Sequence, residues 1–108
     1  MIKIIDGKRY NTDTAEQVFF HSNSHSRSDF KYRSKALYRT QNGAWFIHNE
    51  GGAMTDMAER VGNNTLCGGE SIEVLTDADV FGFLQAHSND SEAEALIDTY
   101  FADRVEEA

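Results

Sequence analysis

Ala36-Leu37-Tyr38-Arg39-Thr40-Gln41-Asn42-Gly43-Ala44-Trp45-Phe46-Ile47-His48-Asn49-Glu50-Gly51-Gly52 is the stretch that decides the fold. Two aromatic and aliphatic runs flank Asn42-Gly43. Asn-Gly is the strongest short-range hairpin signal, because a tight primed turn needs positive φ at its central residues. On the first run Leu37 and Arg39 point one way, Tyr38 and Thr40 the other. On the second run Trp45 and Ile47 oppose Phe46 and His48. Alternation at period two marks a strand with unlike faces. Both faces keep aromatic mass, so the spacing predicts a central hairpin over about 36–48 with packing on each side. Gly51-Gly52 ends its second strand.

Upstream, Met1 to Asp6 alternates loosely and meets Asp6-Gly7, a second hairpin-type turn from which Lys8 to Tyr10 returns as a short strand. Thr12-Asp13-Thr14 then predicts a helix start. Asp13 and Glu16 have capping-box spacing, and Ala15, Val18, Phe19 and Phe20 supply an apolar face. His21 to Asp29 is polar and serine-rich, a loop, and Phe30 to Arg33 reads as a short strand leading into the hairpin.

Downstream, Ala53 to Val61 reads as a helix, with Thr55 as N-cap, Gly62 as its stop and Met54, Met57, Ala58 and Val61 at helical spacing. Asn63 to Gly69 is a loop, and Ser71 to Leu75 a strand. Thr76 and Asp79 form a capping pair that opens a helix to about His87, with Gly82 inside it costing about 1 kcal/mol relative to alanine. Asn89-Asp90-Ser91 breaks that helix and caps a last one, Ser91 and Glu94 again having capping-box spacing; its apolar arc is Leu96, Ile97, Tyr100 and Phe101. Glu94 and Asp98 lie together on one flank of that arc, Glu92 and Asp103 on the other. Hairpins mixed with helices, without βαβ units, predict an α+β class: one domain over 1–108, an antiparallel sheet built on hairpins with three to four short helices packed on it.

The chain of 108 residues is long enough to bury a core without staples, and its single cysteine, Cys67, allows no internal disulfide. No apolar run approaches the roughly 18–20 residues that span a bilayer, and Met1–Lys8 turns polar too quickly for a secretory leader. The expectation is a cytoplasmic protein without membrane contact. The net charge is −8 and unevenly spread: residues 1–54 hold eight bases and five acids, residues 55–108 two bases and thirteen acids. Such asymmetry points to charged partners as much as to solubility.

No motif assigns chemistry. His21 and His25 are four apart, but the serine-rich context makes them loop histidines without a third ligand. His48 reads as a hydrogen-bonded histidine at a hairpin end. Cys67 lies among glycines and acids, which disfavour a thiolate, and no base is assigned to it. No phosphate-binding glycine loop, nucleophile elbow, zinc-protease motif or calcium loop occurs. The expectation is therefore no enzyme, no catalytic residue, no metal and no cofactor.

Two charged surfaces compete for a binding role. Arg27, Lys31, Arg33, Lys35 and Arg39 are interleaved with Phe30, Tyr32 and Tyr38, and cations beside stacking aromatics suit single-stranded nucleic acid. A net charge of −8 opposes that reading. The opposite pole is Glu70, Glu73, Asp77, Asp79, Asp90, Glu92, Glu94 and Asp98. Carboxylates closely spaced on a rigid frame can imitate phosphates and fit a groove built for nucleic acid.

Several segments together carry a resemblance: GKRYNTDTA (7–15), SDF (28–30), LYRT (37–40), GAWF (43–46), EGGAMT (50–55) and IEVLT (72–76). Over about residues 1–80 the chain resembles a family of small proteins carried by bacterial prophages, plasmids and other mobile elements. Some relatives of this type are described as anti-CRISPR proteins. The resemblance implies inhibition of a CRISPR–Cas effector by direct protein–protein binding in a bacterial host. It carries no residue roles, and the acidic last helix lies outside it.

Overall fold

The computed structural model describes residues 1–23, 25–26, 28–62 and 65–106. Its class is α+β with antiparallel sheets. β1 (Ile2–Ile5) and β2 (Lys8–Asn11) form the first hairpin, with Ile5 opposite Lys8. Asp6 and Gly7 both take positive φ, 51° and 75°. That is the two-residue primed turn whose twist suits flanking strands.

The helix expected after Thr12 is instead a strand, β3 (Glu16–Ser22). Val18, Phe19 and Phe20 are strand-favouring types, and pairing with the next strand overrides the local cap signal. The Asn11 side chain accepts the Asp13 N–H at 2.9 Å and the Asn11 carbonyl accepts the Ala15 N–H at 3.0 Å, so this segment closes as a turn. The short strand expected from Phe30 is a turn as well; β4 begins at Arg33 and runs to Arg39.

β4 pairs antiparallel with β5 (Trp45–Gly51), as the alternation predicts, from Arg39 opposite Trp45 to Arg33 opposite Gly51. Its connection is not the primed two-residue turn expected at Asn42-Gly43. The Thr40 carbonyl accepts from Gly43 at 2.9 Å, and Thr40 donates to the Ala44 carbonyl at 2.8 Å. Within this loop only Gly43 has positive φ, 84°. This is a three-residue loop closed by a glycine bulge.

The helix expected over 53–61 is also absent. Thr55 Oγ1 donates to the Gly52 carbonyl at 2.9 Å and closes a turn, after which β6 (Glu59–Val61) pairs with β7 (Thr65–Cys67). Of the loop predicted over 63–69, Asn63 and Asn64 lie outside the described residues, and Thr65–Cys67 is a strand instead. β8 (Gly69–Leu75) hydrogen-bonds beside β5, giving a sheet of order β3-β4-β5-β8. Two α-helices follow, α1 (Asp77–Ala86) and α2 (Ser91–Tyr100), and a 3-10 turn at Ala102–Arg104. Among the described residues these replace the three to four helices expected.

The chain divides into two compact units, Met1–Val74 and Leu75–Ala108. In the first, the register puts Ser34, Ala36, Tyr38, Phe46, His48 and Glu50 on one sheet face. Phe46 is fully buried there with Tyr10 and Ile72, beside Ile5, Ala15, Tyr38 and Ala44. Tyr38 stacks parallel to Phe46 at 5.0 Å and Tyr10 meets it edge-on at 5.7 Å. Such pairs add about 0.5–1.5 kcal/mol each beyond area burial. The opposite face carries Phe19, Leu37, Trp45 and Ile47, all buried. The sheet is thus apolar on both sides, as the hairpin predicted. Opposite β4, β3 slips register between Gln17 and Phe19, a bulge that places Phe19 against Leu37.

In the second unit α1 and α2 pack against each other, and Val80, Leu84, Ala93, Ile97 and Phe101 are buried. Phe81 lies 5.5 Å from Phe101. Thr76 caps α1 in the box read from the sequence: Oγ1 accepts from Asp79 at 3.1 Å, and Asp79 Oδ2 accepts the Thr76 N–H at 3.0 Å. The α2 cap falls within the expected Asn89-Asp90-Ser91 stretch, on Asp90, which accepts from Glu92 at 2.9 Å, and not on Ser91 as its spacing to Glu94 suggests. Asp reaches its own i+2 amide more readily than Ser91 could from inside the first turn.

Candidate partner interface

The division into units sharpens the charge asymmetry. Residues 75–108 hold nine acids against Arg104 alone, a net −8, while residues 1–74 hold nine acids and nine bases. The whole net charge of the chain therefore belongs to the helical unit.

The caps explain part of this placement. Asp77 and Asp79 stand in the first turn of α1, Glu92 and Glu94 in the first turn of α2. Acids at these positions meet the positive end of the helix dipole, each worth about 0.3–1 kcal/mol. Asp98 stands one turn beyond Glu94, about 6 Å along the axis. All five side chains are exposed. Asp79 and Asp90 are committed to capping bonds. Among the described residues no cation pairs with Asp77, Glu92, Glu94 or Asp98. Four carboxylates on two short helices are thus available to a cationic surface.

Glu70 and Glu73 do not join this group. Both belong to β8 in the first unit, and odd spacing turns them to opposite sheet faces. Glu70 is engaged by His48, with Nε2 and Oε2 2.8 Å apart.

The basic segment is taken up by structure. Arg33 binds Asp56 through Nε at 2.7 Å, and its other nitrogens donate to the Ser34 carbonyl at 2.7 Å and to Asn49 Oδ1 at 3.1 Å. The guanidinium beside Asp56 holds that carboxyl below its ordinary value. Arg39 lies over the Trp45 ring at 4.9 Å. Lys35 is half-buried on the same sheet face as both arginines, Lys31 is an exposed turn residue, and Arg27 lies outside the described residues. Of the aromatics, Tyr32 is buried, and Tyr38 is half-buried against Phe46 with its hydroxyl donating to Gln17 Oε1 at 3.2 Å. Burial, with Asp13 nearby, raises the Tyr38 pKa. Only Phe30 stands well exposed.

The histidines separate as well. His21 is a β3 residue, not a loop residue, and His25 lies 3.5 Å from Asp29. His48, Glu50 and Glu70 form a set whose donor atoms all lie within 4.8 Å of one another. The sequence marks His48 and Glu70 separately and gives no sign that Glu50 joins them. The i, i+2 pair His48/Glu50 was visible, but nothing marked β8 as the neighbour of β5.

Comparison with family models, curated proteins and solved structures finds no match to this chain.

Proposed function

We propose that the protein is a binding inhibitor of a CRISPR–Cas effector complex, acting in a bacterial host by occupying a cationic nucleic-acid channel with the acidic face of its helical unit. The observation that carries the proposal is the confinement of the full −8 to residues 75–108, with Asp77, Glu92, Glu94 and Asp98 exposed and paired with no cation among the described residues. Effector channels grip nucleic-acid backbone through lysine and arginine, so a rigid polyanion competes on the same terms. The long-range field of such a face speeds encounter and weakens with salt. The resemblance over residues 1–80 supplies the class of target; the charge supplies the mode. The protein performs no chemistry in this reading.

The test is a pull-down of purified effector complexes on the tagged protein at low and moderate salt, with target DNA as competitor. The reading expects a retained complex that DNA displaces. The variant Asp77→Asn, Glu92→Gln, Glu94→Gln, Asp98→Asn spares both capping aspartates and should lose retention while keeping its helical circular dichroism. Retention unchanged in this variant, or no retention by any effector, overturns the proposal.

A further inference from the structure

A second feature lies on the sheet of the first unit and owes nothing to the acidic helices. His48 and Glu50 are two apart on β5, so both side chains leave the same face. β8 runs hydrogen-bonded beside β5, and Glu70 reaches the same spot from it. Neighbouring strands lie about 4.8 Å apart, which is why three side chains from two strands converge so closely. The result is one imidazole nitrogen and two carboxylates with donor atoms all within 4.8 Å of each other.

The backbone beside this set is closely packed. A Cβ on Gly68 would lie 2.6 Å from the Gly51 carbonyl oxygen, and one on Gly69 would run into the Met57 carbonyl. Glycine alone lets the chain entering β8 press this closely on Gly51, at the end of β5, and on the Met57 carbonyl. The glycines at 51 and 69 are the direct chain neighbours of Glu50 and Glu70. Strands, not loops, present both carboxylates. The same two glutamates border a cavity of about 490 Å³ whose wall also includes Phe30, Tyr32 and Cys67.

We propose that His48, Glu50 and Glu70 bind one divalent transition-metal ion, of which Zn²⁺ is the representative. Imidazole selects borderline ions such as zinc over magnesium or calcium, and two carboxylates neutralise the charge of the ion. Bond lengths of about 2.0–2.2 Å around zinc put donor atoms roughly 3.3 Å apart. The His48–Glu70 separation of 2.8 Å needs to open only slightly to reach that geometry. Three protein ligands leave a further position for water or a small anion, and an ion held here borders the cavity.

Isothermal titration of the full chain, stripped with chelator and titrated with Zn²⁺, tests the site. The expected result is one equivalent bound. His48→Asn, Glu50→Gln and Glu70→Gln should each weaken it by about ten-fold or more. The control His25→Ala should leave it unchanged. Glu70 is half-exposed, so Glu70→Gln tests the site without threatening the fold. Cobalt(II) substitution should give visible absorption that His48→Asn abolishes. No heat at about 100 μM Zn²⁺, far above the concentrations that structural zinc sites need, overturns the proposal. So does zinc binding that none of the three substitutions weakens, or calcium binding equal to zinc.

Discussion

Arg33 holds Asp56 through two parallel contacts, Nε to Oδ1 at 2.7 Å and Nη2 to Oδ2 at 3.2 Å, and so ties β4 to the turn that follows Gly52. The hydrogen bond from Arg33 holds the Asp56 carboxyl below its ordinary pKa. The folded state thus binds this proton more weakly than the unfolded chain does. Its contribution is complete above the ordinary carboxyl value and fades as pH falls through the folded one. Asp56→Asn should therefore lower the urea midpoint slightly at neutral pH and leave it equal to the parent's at about pH 2. The difference is small because Asp56 is largely exposed and the pair is screened. Urea titrations at the two pH values provide the check.

Phe46 has no exposed surface and receives two aromatic rings. Phe46→Ala removes the ring that both tyrosines pack upon and leaves a cavity that the strands cannot collapse. The expected loss is about 3–5 kcal/mol. Denaturant melts followed by near-ultraviolet circular dichroism measure it.

Two glycines should respond to alanine with opposite sign. Gly82 sits inside α1 with nothing within 4 Å of a added Cβ, so Gly82→Ala should stabilise by about 0.5–1 kcal/mol. Gly68 has the Gly51 carbonyl at 2.6 Å from that position. Gly68→Ala forces the backbone apart and should destabilise by about 1–3 kcal/mol. Thermal melts of the two variants side by side settle both signs.

Thr76→Ala removes the hydroxyl that caps α1 and should cost about 1 kcal/mol. Asp77→Asn, one residue later, leaves the cap untouched and should cost less, since only a dipole contact weakens. The pair separates stability from charge on this helix, with melting temperature as the readout.

The hairpin of β4 and β5 was legible because both runs alternate without interruption. Its loop was not, since Asn-Gly fits either a primed turn or a glycine bulge and the strand ends choose between them. Thr76 with Asp79 identified α1 because the box was followed by an apolar stripe. Asp13 with Glu16 offered the same spacing and misled, because Val18 to Phe20 found a partner strand some twenty residues away. Met54 and Val61 had helical spacing too, yet both are exposed, and the turn at Gly52 uses the Thr55 hydroxyl instead. The acidic run was plain from composition. That its β8 members leave it, one for His48, depends on strand order, which no local pattern encodes.

The slip in β3 between Gln17 and Phe19 bears on how the molecule behaves in a crowd. β3 is an outer strand of the four-stranded sheet. A straight outer strand is a template on which another chain's strand can add, copy after copy. One inserted residue breaks the regular spacing of that template and twists it out of plane. The bulge that seats Phe19 thus also makes this edge of the sheet a poor template for fibre growth.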